Sequence, residues 1–279
     1  MPDAALAVSV VLPVKDAPEG YLIAAVRSVL AQRLSQLELL VIEAPSRRCA
    51  RATLESLEDG RVHHHLLPAA ATMVDQLNYG LQRSRAALVA RMDADDICHP
   101  ERLRSQLEFL QANPDVDVVG TQIELIGEDG ATIGRRRFPT EHGSIVAALR
   151  RKNPISHPSV CFRREVVLSA GGYQHPERPA QDYDLWCRLA LRDARFANLD
   201  QALLHYRLHP RSVKVRRLRE TLRATIAIKE SYFRGRFGIV DRLRLQAEKT
   251  ALHLPDPLVY GLFRLIEYGV RPGRRGVAP

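Results

Sequence analysis

The sequence predicts an α/β protein in which a mostly parallel central sheet carries helices on both faces, followed by a basic, mainly helical C-terminal segment. Two patterns predict the sheet: strand-like and helix-like runs alternate through the first two hundred residues, and the strand-like runs are almost continuously apolar. The third observation is charge, because the basic excess is confined to the end of the chain. We therefore expect residues 1–210 to form one domain and residues 211–279 a basic segment.

Apolar, β-branched runs predict four strands, and a run with apolar residues at helical spacing follows each of them. The predicted strand and helix pairs are 7–14 with 21–32, 37–42 with 51–58, 61–67 with 71–84, and 86–92 with 100–112. Pro100 suits the first turn of the last helix. Strands joined through helices form parallel sheets, and ligands bind beyond the carboxyl ends of such strands.

Composition and charge restrict the kind of protein. Hydrophobic residues make up 46% and charged residues 26% of the chain, which is ordinary for a soluble globular protein. From residue 211 onward there are sixteen basic and six acidic residues, whereas the preceding 210 residues are almost neutral. The four cysteines form no CxxC pair, which argues for reduced thiols in the cytoplasm and against a zinc cluster or a disulfide framework. No leader with a positive n-region and no apolar run of about 18 residues occurs, so neither secretion nor a spanning helix is predicted.

Three aspartates, Asp93, Asp95 and Asp96, follow the apolar run "AALVA" within four positions. Adjacent carboxylates repel and raise each other's pKa, so we expect a positive group among them. A divalent cation, Mg²⁺ or Mn²⁺, fits because such ions combine one or two carboxylates with the phosphate oxygens of a substrate such as a nucleoside diphosphate. The alternative is a solvated loop in which Asp96 caps the helix that begins near Pro100.

Five ordered blocks of sequence resemble the GT-A fold glycosyltransferases of family 2, which transfer a sugar from a nucleotide-sugar donor. The resemblance runs from about residue 8 to about residue 209. The blocks are "VSVVLPVKDAPEGYLIAAVRSVLAQ", "LNYGLQRSRAALVARMDADDICHPERLRSQLEFLQANPDVDVVG", "ISHPSVCFRREVV", "GGYQHPERPAQDYDLWCRLA" and "LLHYRLH". The resemblance implies a Rossmann-like GT-A domain and a bacterial enzyme of cell-surface glycan synthesis.

The resemblance also implies roles for single residues. Asp95 matches the metal ligand of the family's DxD motif, and Asp93 matches the residue beside the donor's ribose and the metal. Asp182 matches the general base, a role that suits a carboxylate because the acceptor hydroxyl must lose a proton as it attacks. Asp184 is the fallback base, and the competing interpretation makes Asp182 only a helix N-cap. Glutamine at position 181 replaces a carboxylate that relatives usually carry.

The run "HYRLH" places His205, Arg207 and His209 on one face of a predicted strand. By resemblance, His209 contacts the metal or the diphosphate and Arg207 is a counter-charge for the phosphates. The alternative is a surface strand with two ordinary histidines. His157 matches a position near the acceptor cleft, or is a structural histidine. The three consecutive histidines at 63–65 point to alternating faces, so we expect a surface or edge strand there rather than a metal site.

The predicted donor pocket departs from the family pattern. Pro13, Val14 and Lys15, at the end of the first strand, are expected to bind the nucleotide, although relatives often have Tyr-Asn at positions 15 and 16. "EAPS" at 43–46 replaces an Asp-Asp-Gly-Ser turn, and there Glu43 can accept a hydrogen bond from the base or the ribose. The nucleotide therefore stays open, with a UDP-sugar as the default.

The resemblance and the charged tail together predict the function and the partners. We expect a metal-dependent, inverting glycosyltransferase that acts on a glycan or a lipid-linked saccharide; a non-catalytic relative that binds a nucleotide sugar or a partner is the alternative, suggested by Gln181. A nucleotidyltransferase is disfavoured because no Gly-rich phosphate loop follows the first strand. Basic amphipathic helices in the tail either lie on an anionic membrane at its cytoplasmic face or pack on the domain or on a second copy, as in a homodimer. No nucleic-acid motif occurs.

Overall fold

The computed structural model describes residues 6–209, 217–255, 258, 259 and 261. The elements of the first half are β1 (Val8–Val14), α1 (Glu19–Leu30), β2 (Leu37–Glu43), α2 (Arg51–Glu55), β3 (Val62–Leu66), α3 (Met73–Arg83), β4 (Leu88–Arg91), β5 (Ile97–Cys98) and α4 (Arg102–Ala112). They are followed by β6 (Val118–Ile126), β7 (Thr132–Arg136), α5 (His142–Leu149), β8 (Cys161–Arg163), α6 (Arg164–Ser169), α7 (Gln181–Ala190), β9 (Phe196–Arg207), α8 (Leu218–Phe233) and α9 (Ile239–Ala251).

The strands of the described residues form one sheet in the order β3-β2-β1-β4-β8-β6-β9-β5, with β7 paired to β6. Strands β1 to β4 are parallel, as is the pair β6 and β9, whereas β8 lies antiparallel between β4 and β6. The predicted α/β class and the four strand and helix pairs are confirmed. Pro100 lies two residues before α4 begins and not in its first turn, where the sequence predicts it. The histidine run lies in β3 at an edge of the sheet, as predicted.

Helices cover both faces of the sheet, so the side chains of β1, which alternate between the two faces, are buried on both. Val10 joins the core under α1, while Val11 joins the core under α3 and α7. A Cβ on Gly80 of α3 would lie 2.5 Å from Val11 Cγ1, so glycine at this position lets the helix approach the sheet closely. Gln76 then ties the ends of two strands together by donating to the carbonyls of Val14 at 2.8 Å and Ile42 at 2.6 Å.

Helix α8 of the C-terminal segment packs on α7 rather than standing apart from it. Its Phe233 is 4% exposed and belongs to the same hydrophobic core as Trp186. The Tyr232 hydroxyl donates to Asp184 Oδ1 at 2.8 Å, and Arg188 Nε donates to Asp184 Oδ2 at 2.8 Å. For this helix the structure therefore shows the packing alternative.

Helix α9 packs on α8 and contacts the segment that follows α5 through an ion pair. Lys229 Nζ donates to Glu248 at 2.6 Å, and Arg151 Nε donates to Asp241 at 2.6 Å. The tail's second apolar run, residues 256–270, lies largely outside the described residues. Across the described part of the chain, no helix combines the length and apolar character that crossing a bilayer requires.

Candidate active site

The three aspartates converge where β4 ends. One ligand oxygen from each of Asp93, Asp95 and Asp96 can be chosen so that all lie within 4.8 Å of one another. Asp96 is 1% exposed, and its burial, followed by the charges of Asp95 and Asp93, raises its pKa well above the ordinary value. The sheet thus holds three acidic groups closer together than their charges favour, which is the condition that a shared cation relieves.

The ends of β9 and of the segment after it face this cluster. Asp96 Oδ1 accepts a hydrogen bond from the backbone N–H of Arg207 at 2.8 Å, so Asp96 does not cap α4 as the alternative interpretation had it. His209 Nε2 lies 2.8 Å from Asp95 Oδ2. Asp96 Oδ2 and His209 Nδ1 are buried without a hydrogen-bond partner among the described residues. Unsatisfied carboxylate and imidazole atoms beside a carboxylate cluster are suited to Mg²⁺ or Mn²⁺, so the residues present fit the predicted cation.

Arg207 lies beside the cluster, but its guanidinium is engaged within the protein. Nε donates to the Asp95 carbonyl at 2.8 Å, and Nη1 donates to the carbonyls of Gly127 at 3.0 Å and Glu128 at 3.1 Å. The guanidinium carbon also lies 4.4 Å from the centre of the Tyr21 ring. Arg207 therefore holds the loop that carries Asp95, because carbonyl groups of the backbone bind its Nε and Nη1 groups. Its role as a counter-charge for the phosphates stays a prediction.

Arg91 is a residue of the site that the sequence analysis missed. Its side chain is buried, Nη2 contacts Asp93 Oδ1, and Nε and Nη1 have no hydrogen-bond partner among the described residues. Leaving buried donors unsatisfied costs about 1–3 kcal/mol each, so this guanidinium is kept for the charge it places behind the carboxylates. The available signal was its position two residues before Asp93, since residues at that spacing along an extended chain share a face.

Asp182 lies in the first turn of α7, which starts after Ala180 in the left-handed region at φ 67°. No side chain caps this helix, so Asp182 is not the N-cap of the competing interpretation. Its Oδ2 instead accepts a hydrogen bond from Asn153 Nδ2 at 2.7 Å, and the residue is half-buried. The fallback base, Asp184, is 3% exposed with both oxygens bound inside the protein, so it cannot reach an acceptor.

Tyr173 is a buried residue whose phenol is affected by charges of both parts of the site. Burial raises the pKa of the phenol, the charge of Arg91 lowers that pKa, and the charge of Asp182 raises it. The Tyr173 hydroxyl lies 2.9 Å from His157 Nε2, and His157 is buried. The burial of His157 and its contact with Tyr173 favour the interpretation of His157 as a structural histidine.

Glu43 does not face the predicted nucleotide pocket. It is 1% exposed; Oε1 accepts from the Ala50 backbone at 3.0 Å and Oε2 lies 2.7 Å from His64 Nε2. The expected hydrogen bond from Glu43 to a base or ribose is corrected, because the strand end directs this carboxylate inward. It anchors α2 and β3 to β2 instead.

The end of β1 presents one side chain of the predicted nucleotide-binding set. Pro13 and Val14 are buried, and the Val14 carbonyl accepts from Gln76, whereas Lys15 is exposed. The next residue, Asp16, has φ 55° and its N–H donates to Ser46 Oγ at 2.9 Å, which ties the ends of β1 and β2 together. Lys15 is thus available beside the strand ends. His205 of β9, two residues before Arg207, lies 3.3 Å from Glu124 of the neighbouring strand β6.

The sheet, with carboxylates at the carboxyl ends of its strands, defines an enzyme of the GT-A fold. The chain belongs to glycosyl transferase family 2, whose family model matches residues 9–170. That match includes the aspartate cluster and ends before Asp182, Arg207 and His209.

Similar proteins agree with this assignment. The chain is 34% identical over 202 residues to the O-antigen biosynthesis glycosyltransferase WbnJ of Escherichia coli, covering 70% of this chain and 78% of WbnJ. It is 38% identical over 141 residues to the amylovoran biosynthesis glycosyltransferase AmsE of Erwinia amylovora, covering about half of each protein (50% and 52%). The fold matches S. aureus TarS with a TM-score of 0.61 at 15% identity, over 88% of this chain and 71% of that one. It also matches the mannosyltransferase PcManGT of Pyrobaculum calidifontis with a TM-score of 0.61 at 16% identity, over 93% and 73%.

Proposed function

We propose that this glycosyltransferase moves a sugar from a nucleoside-diphosphate sugar to a glycan or a lipid-linked saccharide, with inversion at the anomeric carbon. The observation that carries the proposal is the carboxylate cluster of Asp93, Asp95 and Asp96 faced by His209. It provides a cation site at the edge of the sheet where ligands of such folds bind.

The nucleotide sugar is the donor that the similar structures favour. TarS has been crystallised with UDP-GlcNAc, and PcManGT with GDP-Man and Mn²⁺. UDP is our default nucleotide. Lys15 is the exposed cation at the end of β1 and is assigned to the donor's negative charge.

Asp93, Asp95 and His209 are assigned to the metal, with Asp96 behind them. When bound there, Mg²⁺ or Mn²⁺ neutralises charge on the departing diphosphate. The protein's own part is to hold these ligands in place: the Arg207 backbone holds Asp96, the Arg207 guanidinium holds the Asp95 carbonyl, and Arg91 holds Asp93.

Asp182 is assigned as the general base. The acceptor oxygen forms a bond to the anomeric carbon on the face opposite the leaving diphosphate, and its proton passes to Asp182 as that bond forms. Asn153 orients the carboxylate by binding one of its oxygens and leaves the other for the acceptor. Attack from the opposite face in one step inverts the anomeric configuration.

The acceptor assignment rests on the named relatives. WbnJ is a glycosyltransferase of O-antigen biosynthesis. A second Escherichia coli relative, 29% identical over 140 residues and half of each chain, is named as a galactosyltransferase whose acceptor is a GlcNAc-diphosphoundecaprenol. A saccharide carried on a lipid diphosphate is therefore the acceptor class that we favour.

Titration calorimetry of UDP with and without Mn²⁺ tests the cation site. We expect UDP binding to require Mn²⁺ and to be lost in Asp95→Asn, because the amide cannot offset the ion's charge. Asp193→Asn is the matched control, since Asp193 is exposed at φ 60° and asparagine tolerates that conformation. Asp95→Asn that binds UDP with unchanged Mn²⁺ dependence would remove Asp95 from the site.

Steady-state transfer kinetics and product NMR test the base. Asp182→Asn should lower kcat by about 10²–10⁴-fold while UDP binding stays unchanged. Asn153→Ala should lower kcat by less, because it removes only the group that orients the base. A product with retained anomeric configuration, or full activity in Asp182→Asn, contradicts the mechanism.

A further inference from the structure

The turn between α8 and α9 and the first turn of α9, residues 234–243, form an exposed tip that carries large apolar side chains; we call it the hairpin tip. Ile239 is 79%, Val240 64% and Leu243 66% exposed. Few large hydrophobic residues are exposed elsewhere in the described chain. Three of them within five positions at one end of a helix hairpin form an apolar patch with no cover among the described residues.

The charges around this patch are of one sign at the surface. Arg234, Arg236 and Arg242 are exposed beside the apolar side chains. The one acidic residue of the tip, Asp241, is turned inward, where it accepts from Arg151 and, at 3.1 Å, from the backbone of Gly238. Arg234 lies 3.7 Å from a carboxylate of Glu230, which also accepts from a lysine at 2.8 Å. The hairpin tip therefore presents apolar groups among cations.

The hairpin tip is joined to the candidate base by a short stretch of chain. Asp241 binds Arg151, and Asn153, two residues farther on, binds Asp182. Two residues of extended chain span at most about 7 Å, so Asp241 of the tip and Asp182 are bound to backbone positions that lie close together.

We propose that the hairpin tip docks on an anionic lipid surface and so presents Asp182 to an acceptor carried in that surface, an inference that rests on the proposed function. Apolar side chains at a helix end insert at the boundary of headgroups and acyl chains, and arginines beside them bind anionic headgroups. A second copy of the chain fits less well. A two-fold contact through the tip would bring like charges together, and three side chains cover far less than the roughly 800 Å² per partner of a stable interface.

The test is co-sedimentation of the full-length protein with vesicles, without donor or acceptor. Vesicles of phosphatidylcholine alone are compared with an equimolar mixture of phosphatidylcholine and phosphatidylglycerol. We expect binding only to the mixed vesicles, weakening as salt is added. Replacing Ile239, Val240 and Leu243 with serine should weaken binding at least about ten-fold, as should replacing Arg234, Arg236 and Arg242 with glutamine. The matched control replaces Leu66 and Leu191, which are 53% and 43% exposed elsewhere, with serine and should bind as the parent does.

Sedimentation equilibrium of the same variants tests whether a second copy of the chain, rather than a lipid surface, occupies the hairpin tip. A parent dimer that becomes monomeric in the serine variant identifies a second copy as the occupant and overturns the proposal. Unchanged vesicle binding in both tip variants also overturns it and leaves any membrane contact to other segments. UDP and Mn²⁺ binding, measured without vesicles, is expected to be the same in all variants. A parent protein that fails to bind UDP with Mn²⁺ would refute the proposed function. Vesicle binding is measured without donor or acceptor and therefore tests the docking by itself.

Discussion

The contact between α8 and α7 gives the sharpest prediction about how the chain is organised. Replacing Tyr232 with phenylalanine removes a single hydroxyl. That hydroxyl donates at 2.8 Å to Asp184, a carboxylate that is 3% exposed. Burial, followed by the hydrogen bond and charge of Asp184, raises the pKa of Tyr232, so the phenol stays protonated and remains a donor at neutral pH.

The size of the stability loss depends on the hydrogen bonds that Asp184 retains in the variant. A hydrogen bond to a charged group contributes about 1.5–3 kcal/mol, and Arg188 still binds the other carboxylate oxygen in the variant. Since Tyr232 is half-buried, we expect the lower value, a loss of about 1.5 kcal/mol in the free energy of unfolding. At the midpoint of thermal unfolding this corresponds to a decrease of roughly 3–6 °C.

Urea unfolding followed by fluorescence measures this effect at a single place, because Trp186 in α7 is the only tryptophan in the sequence and is fully buried. Circular dichroism of the same samples reports the helices as a whole. Tyr79→Phe is the matched control. No hydrogen bond of the Tyr79 hydroxyl is found among the described residues, and its ring contacts with His65 and Arg83 remain, so stability should change by less than about 0.5 kcal/mol.

Two results would refute this reasoning. The first is a Tyr232→Phe variant as stable as Tyr79→Phe, which would mean that the contact with Asp184 contributes nothing. Alternatively, the dichroism could fall in a separate, earlier transition that Trp186 does not report. The C-terminal helices would then unfold independently of the sheet, and residue 210 would mark a true thermodynamic boundary.

Two further predictions concern acid stability and thiol reactivity. Burial of Glu38 acts to raise its pKa, but hydrogen bonds from Ser9 and Arg85 outweigh burial and hold the pKa below 4.5. The ionised Glu38 therefore stabilises the fold fully above that pH, and this stabilisation is lost as the pH falls through the lowered pKa. Glu38→Gln should be less stable at neutral pH and should flatten that part of the acid unfolding profile measured in urea. Among the cysteines, Cys49 is exposed and the other three are buried, with burial raising the pKa of Cys161 to about 12. A thiol reagent should modify one cysteine in the native protein and four in denaturant; rapid modification of a second thiol under native conditions would contradict the buried positions.

The elements that sequence reasoning predicts are those whose signal is local. Runs of apolar residues with the period of a strand or a helix predict β1, α1 and β2. β8 does not, because three residues, Cys161–Arg163, have no period of their own. Their strand conformation comes from the two neighbours that they pair with in the middle of the sheet.

The same distinction holds within the site. The aspartate cluster is visible in the sequence because its members are adjacent. The orientation of Arg207 is not, because its partners at Asp95 and Gly127 lie 112 and 80 residues away along the chain. The place of Glu43 at a strand end predicts a role in the donor pocket. Only the positions of Ala50 and His64 show that its carboxylate is directed inward.

The reach of β9 has a consequence for how the enzyme is made. His209 and Arg207 contact Asp95 although they follow it by 114 and 112 residues in the sequence. The carboxylates therefore leave the ribosome well before these partners have been synthesised. A nascent chain that stops ahead of β9 carries mutually repelling carboxylates and leaves β6 without its parallel neighbour, an open edge prone to wrong pairing. Closing so long a loop is entropically costly and slow. The aspartate cluster is therefore among the last parts of the sheet to gain its partners, and we expect a chain released early to lack the proposed cation site.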